Sequence, residues 1–310
     1  MRIRFAFLAA AFLALAAPAL ADEGMWTFDN LPLPLLRQHY GFAPTREWIE
    51  HVQRASVNFG GGSGAFVSPD GLVLTNHHVA MGQLAKLSTP AHDYLKGGFF
   101  ARTAAAEMPC PDLELKVLWT MEDVTARVNA AIDPKAAMEA RNGQRKAALS
   151  RIVAQSTKKT GLKCEAVELY NGGEYWLYAY RAYKDVRLVC APEEQAAFFG
   201  GDPDNFSFPR HDLDFAFFRV YDHGAPVHPE HWLRWSARGP HEDELVFVAG
   251  HPGRTSRTRT VAQFEYERDV ERPLRIGLQE QRMAACRDYA AQGAEQARQA
   301  RSALRGSRTT

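Results

Sequence analysis

Residues 62–80, GSGAFVSPDGLVLTNHHVA, constrain the fold more than any other stretch of the chain. Two β-rich runs, 65–68 and 72–75, flank Pro69-Asp70-Gly71, whose residue types are typical of a tight turn. The pattern predicts an antiparallel hairpin whose second strand delivers two adjacent histidines, His77 and His78. The first question about function is which of these two imidazoles does chemistry.

The rest of the chain is predicted to be mainly β with helical insertions. Strand-like runs cover residues 113–119, 164–192, 214–222 and 244–253, and Asn171-Gly172-Gly173 is predicted to form a tight turn. The residue types at 45–52 predict a helix capped by Thr45. A second helix is predicted to begin at Asp133-Pro134 and to end at Gly161.

The C-terminal part of the sequence has a helical pattern. It begins at about Phe264 and is rich in Gln, Arg and Ala, without a clear stop signal before the end. The tail at 298–310 offers few apolar side chains to bury. We therefore expect this tail to pack little against the rest of the protein.

The first 21 residues have the pattern of a secretory signal peptide. Arg2 and Arg4 precede an apolar run that is short for a membrane span, and an Ala-x-Ala site ends at Ala21. We expect cleavage after Ala21 and a periplasmic or secreted protein without a membrane span. The formal net charge of +1 gives no reason to expect a nucleic-acid partner.

Four cysteines follow the predicted leader, at positions 110, 164, 190 and 286. In an oxidising compartment they allow three full pairings. Because Cys164 and Cys190 lie in neighbouring strand-like stretches, a disulfide between them is the preferred pairing. None of the four has the spacing of a zinc site, and no cofactor is expected.

A histidine that acts as a general base needs a carboxylate that fixes its tautomer. Asp214 begins the apolar run DFAFFRVYD, where a buried charge would be costly without a partner. An imidazole would offset that cost, so Asp214 is the candidate partner. A metal site from His77, His78, His211 and Asp212 is disfavoured, because neighbouring residues on a strand point to opposite faces.

The hairpin motif resembles the first-barrel histidine motif of trypsin-like serine peptidases, in which an apolar strand ends in Thr-x-x-His. By this resemblance the catalytic histidine is His78, three residues after Thr75, and His77 is a structural or exposed neighbour. DLDFAFFRV is similar to the Asp-containing strand of those peptidases, with Asp214 as the orienting carboxylate. VFVAGHPG, residues 246–253, resembles the strand and turn that open their second barrel.

Four longer motifs resemble the bacterial dipeptidyl-peptidases of serine peptidase family forty-six: EGMWTFDN, SPDGLVLTNHH, GGDPDNFSFPRHDLDFAFFRVY and GHPGRTSR. The resemblance covers residues 23–285. It implies a trypsin-like double β-barrel with an inserted α-helical domain, and homodimers that release dipeptides from the free N-terminus of oligopeptides. It also implies that Asn205 binds the α-amino group of the substrate and that Phe206 helps to shape that pocket.

The resemblance divides the chain into a first barrel lobe at 22–245, the opening strand of a second barrel at 246–262 and the start of a helical cap domain at 263–310. No serine after Asp214 has the Gly-x-Ser-Gly context of a trypsin-like nucleophile, and Ser63 precedes His78 and is predicted to be structural. We therefore expect a truncated chain that lacks the nucleophile and is inactive alone.

Two alternatives remain open at this stage. A Deg/Htr-like serine endopeptidase shares the LTNHHV and DFAFFRV patterns, although the long interval between His78 and Asp214 disfavours it. A non-catalytic periplasmic binding module on a dead barrel would explain the absence of a nucleophilic serine.

Overall fold

The computed structural model describes residues 24–199, 201, 211–252 and 259–306. Its internal contacts divide the chain into two compact units, one ending at Pro44 and the other beginning at Thr45. The described part of the first unit contains helix α1 (Leu33–Tyr40), which ends at Gly41 in the left-handed conformation, with φ of 63°. No helix in the described ranges is long and apolar enough to cross a membrane.

The second unit is built on an antiparallel sheet, as the strand-rich sequence predicts. Its strands are β1 (Ser56–Asn58), β2 (Ser63–Phe66), β3 (Leu72–Thr75), β4 (Phe99–Phe100), β5 (Met108–Pro109), β6 (Leu115–Asp123), β7 (Lys163–Leu169), β8 (Glu174–Tyr183), β9 (Asp185–Ala191), β10 (Ala216–Asp222) and β11 (Ala225–Pro226). They are ordered β4-β9-β10-β3-β2-β1-β6-β8-β7, with β11 beside β10 and β5 beside β9. Strands β2 and β3 form the predicted hairpin.

Helices of the second unit lie between and after the strands. They are α2 (Arg46–Ala55), α3 (His77–Leu87), α4 (Tyr94–Gly97), α5 (Thr125–Asn129), α6 (Met138–Thr160), α7 (Glu194–Ala197), α8 (Val261–Tyr266), α9 (Arg272–Ala290) and α10 (Ala294–Gly306). The described residues also contain two 3₁₀ turns, Ala104–Ala106 and Tyr170–Gly172, and a π-helical segment, Glu267–Glu271. The Thr45 hydroxyl accepts a hydrogen bond from Trp48 N at 3.2 Å, which confirms the predicted cap of α2.

Two hydrophobic clusters hold this unit together. The larger one packs α3 against the central strands and includes Phe66, Leu84 and Phe218, each at most 1% exposed. The smaller one packs α5 and α6 against β7 and β8 around Val128 and Leu177. The larger cluster fixes the end of the sheet at which the two histidines lie.

The predicted start of α6 is wrong, whereas its predicted end at Gly161 is confirmed. The helix begins at Met138, and Asp133-Pro134 forms a separate turn in which Ala136 N donates to Asp133 O at 3.1 Å. The Asp133 side chain caps this short turn by accepting from Lys135 N at 2.9 Å. The same residue types serve turns and helix starts, so the local pattern could not separate the two.

The predicted strand at 244–253 is absent from its described part, residues 244–252. Val246 and Phe247 are 63% and 44% exposed, and Val248 is fully exposed. A strand requires a hydrogen-bonded neighbour, and no described residue pairs with this segment as a strand. Residues 253–258, in the rest of the predicted second-barrel opening, lie outside the described part of the chain.

The C-terminal helices confirm the helical pattern but correct the expectation about the tail. Helix α9 ends at Ala290, and α10 follows after a short turn. Ala300 on α10 is 5% exposed, and Arg301 Nη1 donates to Asp93 Oδ2 at 2.8 Å. Helix α10 has a polar sequence, yet the burial of Ala300 and the ion pair of Arg301 with Asp93 hold it against the rest of the unit.

The preferred disulfide between Cys164 and Cys190 is also wrong, because all four cysteines are free. Cys164 lies on β7 and Cys190 lies on β9, and six strands separate β7 from β9 in the sheet. Closeness in sequence does not fix the order of strands, so it could not place these two thiols.

Candidate active site

The two histidines are placed by the end of β3. Thr75 is the last residue of β3 and lies opposite Ala216 on β10, and its hydroxyl donates to Ser63 O on β2 at 2.8 Å. Helix α3 begins two residues later, at His77. This register sets the first turn of α3 beside Asp214, which precedes β10.

His78 and Asp214 meet in the geometry that the sequence predicts. The Nδ1 atom of His78 lies 2.8 Å from Asp214 Oδ2, and the backbone N–H of His78 donates to Asp214 Oδ1 at 3.0 Å. Both carboxylate oxygens are therefore engaged by one residue. The two contacts fix the carboxylate relative to the helix as well as to the ring.

Asn76 is a residue of this site that the sequence reasoning missed. Its Nδ2 atom donates to Asp214 O at 3.1 Å and to Asp214 Oδ2 at 3.2 Å. Asn76 occupies the N-cap position of α3, yet its side chain makes no capping hydrogen bond. The signal in the sequence was an Asn immediately before the histidines, a position that normally indicates only a cap.

The electrostatics favour an ionised carboxylate at Asp214. Burial acts to raise the pKa of Asp214, but the hydrogen bonds from the His78 ring and backbone outweigh it, so the pKa is lowered from its ordinary value. Asp214 is therefore charged at neutral pH. A charged carboxylate accepts from Nδ1–H, which makes Nε2 the basic nitrogen of the His78 ring.

The two histidines differ in environment, although for another reason than the one expected. Both belong to the first turn of α3, where successive residues are rotated by about 100° around the helix. His77 is 2% exposed, whereas the side chain of His78 is 65% exposed. The helix, and not strand alternation, directs one ring into the protein and the other toward solvent.

Ser63 is engaged in a structural contact. Its Oγ accepts a hydrogen bond from the backbone N–H of His251 at 2.7 Å. Gly250 is required here, because a Cβ at that position would lie 2.5 Å from Ser63 Oγ. Ser63 thus ties the segment at 250–252 to the strand beside Thr75.

Four further residues are named as candidates from the sequence: His211 and Asp212 for a metal site, and Asn205 and Phe206 for the substrate N-terminus. His211 is exposed and Asp212 is half-buried, and the described residues contain no group of three or more His, Cys, Asp or Glu placed to hold a metal ion. Asn205 and Phe206, predicted to bind the substrate N-terminus, lie outside the described residues.

Known proteins share this arrangement of sequence and fold. A family model described as Peptidase S46 matches residues 21–310. Dipeptidyl-peptidase 7 of Capnocytophaga gingivalis is 33% identical over 279 residues, which cover 83% of this chain and 38% of that protein. The Asp/Glu-specific dipeptidyl-peptidase of Shewanella putrefaciens is 31% identical over 268 residues, which cover 80% and 36%.

A solved structure agrees with these relatives. The crystal structure of Porphyromonas endodontalis DPP11 in complex with the dipeptide Arg-Asp superposes with a TM-score of 0.75 at 25% identity. The match covers 93% of this chain and 45% of DPP11. The chain therefore spans less than half the length of each of these relatives.

Proposed function

The chain belongs to the peptidase S46 family, a family of serine peptidases, and we propose that it forms the general-base portion of an enzyme that removes dipeptides from the N-terminus of oligopeptides. The contact of 2.8 Å between His78 Nδ1 and Asp214 Oδ2 carries the proposal. The names of its relatives, dipeptidyl-peptidase 7 and Asp/Glu-specific dipeptidyl-peptidase, support the reaction class.

In the proposed mechanism His78 Nε2 takes a proton from a serine hydroxyl as that hydroxyl attacks the peptide carbonyl. Asp214 holds the ring with its Nδ1–H toward the carboxylate and stabilises the imidazolium that forms. Asn76 also anchors Asp214, because its side-chain amide donates to Asp214 Oδ2 and to the Asp214 carbonyl. His78 returns the proton to the leaving amine.

We propose that the nucleophilic serine lies outside these 310 residues. Ser63 is not assigned that role, because its Oγ accepts a hydrogen bond from His251 N. It retains a trypsin-like barrel lobe for the sheet, which the hairpin-histidine motif supports. It also retains cleavage after Ala21, a periplasmic or secreted location and a homodimer, in line with the leader-like N-terminus and the family. Asn205 and Phe206 are proposed to recognise the free α-amine.

A fluorogenic dipeptidyl substrate tests the proposal. The 310-residue chain is assayed alone, and so is the product of its own reading frame continued past Thr310. We expect no release from the chain alone, and release from the continued product that falls at least about a hundredfold in His78→Ala, because general-base catalysis is lost. The matched control is His223→Ala at the opposite end of β10, where the side chain is 98% exposed.

Asn205→Ala tests substrate recognition separately. It should weaken turnover of substrates with a free α-amine by about 1–3 kcal/mol, the cost of one charge-assisted hydrogen bond, and leave N-acetylated substrates unchanged. Efficient cleavage of N-acetylated peptides by the parent would instead favour an endopeptidase. Peptide binding without turnover in the continued product would favour a non-catalytic module.

A further inference from the structure

A cavity lies at the end of β10 that is remote from His78. Its volume is about 830 Å³, which is within the range of small-molecule sites. Because β10 extends seven residues away from the Asp214 end, the cavity is roughly 20 Å from the candidate active site. We call it the distal cavity, and its walls include Arg54, Trp119, Arg181, Lys184, Asp185 and His231.

Trp119 enters the distal cavity from a β-bulge. On β6, Leu118 pairs with Tyr180 and Thr120 pairs with Ala179, so Trp119 is an extra residue between two successive pairs. A bulge of this kind redirects a side chain out of the normal alternation. The regular pairing of β6 with β8 is thus interrupted at Trp119, whose indole lines the cavity.

Two guanidinium groups lie over the ring of this one indole. The Cζ atom of Arg54 lies 4.1 Å from the Trp119 ring centroid, and that of Arg181 lies 4.3 Å from it. Stacking uses the flat face of a guanidinium and leaves the N–H groups at its edge available for an in-plane acceptor. Such an edge matches the two oxygens of a carboxylate or a phosphate.

The positive charges here are only partly neutralised. Arg54 pairs with Glu50 at 2.6 Å, but its buried Nε has no hydrogen-bond partner among the described residues. Among the described residues neither Arg181 nor Lys184 forms an ion pair with a carboxylate, although Arg181 interacts with the Tyr183 hydroxyl. Like charges held close together repel, so an anion placed among them would be stabilised.

The carboxylates that line the distal cavity do not supply that anion. Asp185 is held by Arg187, with Oδ1 and Oδ2 each 3.0 Å from a guanidinium nitrogen. The side chains of Asp222 and Glu230 are 69% and 82% exposed, so both are well solvated. These carboxylates therefore do not neutralise Arg181 and Lys184, which are themselves exposed.

We propose that the distal cavity binds a small anionic ligand, with a carboxylate or phosphate group held by Arg181 and Lys184 next to the guanidinium of Arg54. The site is separate from the His78–Asp214 pair and goes beyond the proposed peptidase reaction. Its binding is measurable without turnover, so the outcome does not depend on the proposed function.

Calorimetric titration of the 310-residue chain with two probes tests the site. The probes are inorganic phosphate and the N-acetylated dipeptide Glu-Glu, and the neutral control is the N-acetylated amide of Gln-Gln. We expect at least one anion to bind, and its affinity to fall with added NaCl because the contact is between charges. Saturation by phosphate alone identifies a phosphate ligand, and saturation by the acidic dipeptide alone identifies a carboxylate ligand.

Two double variants with the same change in charge locate the binding. Arg181→Gln with Lys184→Gln should weaken the affinity about tenfold or more, because two charge-assisted contacts are lost. Lys158→Gln with Lys159→Gln changes two exposed lysines on α6 and should leave the affinity within about twofold. The single change Arg181→Lys should weaken binding less than Arg181→Gln. Lysine keeps the positive charge but loses the paired N–H donors of the guanidinium.

Two results would overturn the site. One is that neither anion binds the parent chain. The other is that both double variants weaken binding equally, which would indicate a general effect of net charge. The changed side chains are exposed, and unchanged urea midpoints would show that the variants are folded.

Discussion

The strand β10 and the segment 244–252 have similar apolar sequences, but only β10 forms a strand and is buried. In β10 the residues Ala216, Phe218 and Val220 are fully buried between β3 and β9. In the segment, Val246 is 63% exposed and Val248 is fully exposed. The difference shows that an apolar, β-branched run becomes a strand only where neighbours complete its hydrogen bonds and cover its side chains.

The largest expected effect tests this contrast in burial. Phe218→Ala should lower the free energy of unfolding by about 3–5 kcal/mol, because it leaves a cavity in the larger core. Val248→Ala should change that free energy by no more than about 0.5 kcal/mol, because its side chain already faces solvent. Urea unfolding of both variants measures the two values, and a similar loss in both would show that the segment is buried in solution.

What could be predicted from the sequence depends on the same difference between local and distant contacts. The hairpin, the cap at Thr45, the stop at Gly161 and the turn at 171–173 were predictable because each depends on a few neighbouring residues. The meeting of His78 and Asp214 was predictable for two reasons. A buried charge at Asp214 needs a partner, and the resemblance to the Thr-x-x-His motif of trypsin-like peptidases selects His78 over His77.

The errors arose where a distant partner decides the structure. The strand predicted at 244–253 needed a neighbour, and the disulfide predicted between Cys164 and Cys190 needed an order of strands that no local pattern contains. Asn76 was missed because its contact with Asp214 depends on the register between β3 and β10.

His251 is the exception within the exposed segment, and pH tests it. Burial, with a smaller contribution from Lys116, lowers the pKa of His251 from 6.5 to about 4. Below pH 6.5 His251 is therefore protonated in the unfolded chain but stays neutral in the folded chain down to about pH 4. The free energy of unfolding falls as the pH decreases over this range. Between pH 7.5 and 5 this histidine should account for a loss of about 2 kcal/mol.

His251→Phe should remove that loss. The buried Nε2 of His251 has no hydrogen-bond partner among the described residues, so the aromatic replacement should cost little at pH 7.5 and make the variant the more stable protein at pH 5. Urea unfolding at the two pH values gives the comparison. The control is His223→Phe, whose side chain is 98% exposed, and it should keep the pH dependence of the parent. If the free energy of unfolding changes equally with pH in all three proteins, His251 is exposed to solvent.

The smallest expected effect concerns the hydrogen bond that joins the two regions. Ser63→Ala removes the acceptor of the His251 N–H, a contact of 2.7 Å between β2 and the segment. The loss should lower the free energy of unfolding by about 1 kcal/mol, because a partly buried donor is left without its partner. Hydrogen exchange at the His251 amide should accelerate, while exchange on β10 should follow only the small global change. Ser236→Ala is the matched control, because it removes the same kind of contact, to Gly239 N at 3.1 Å, from an exposed loop. If the His251 amide exchanges at the parent rate in Ser63→Ala, the segment is held by other contacts, and the hydroxyl of Ser63 does not link it to the sheet.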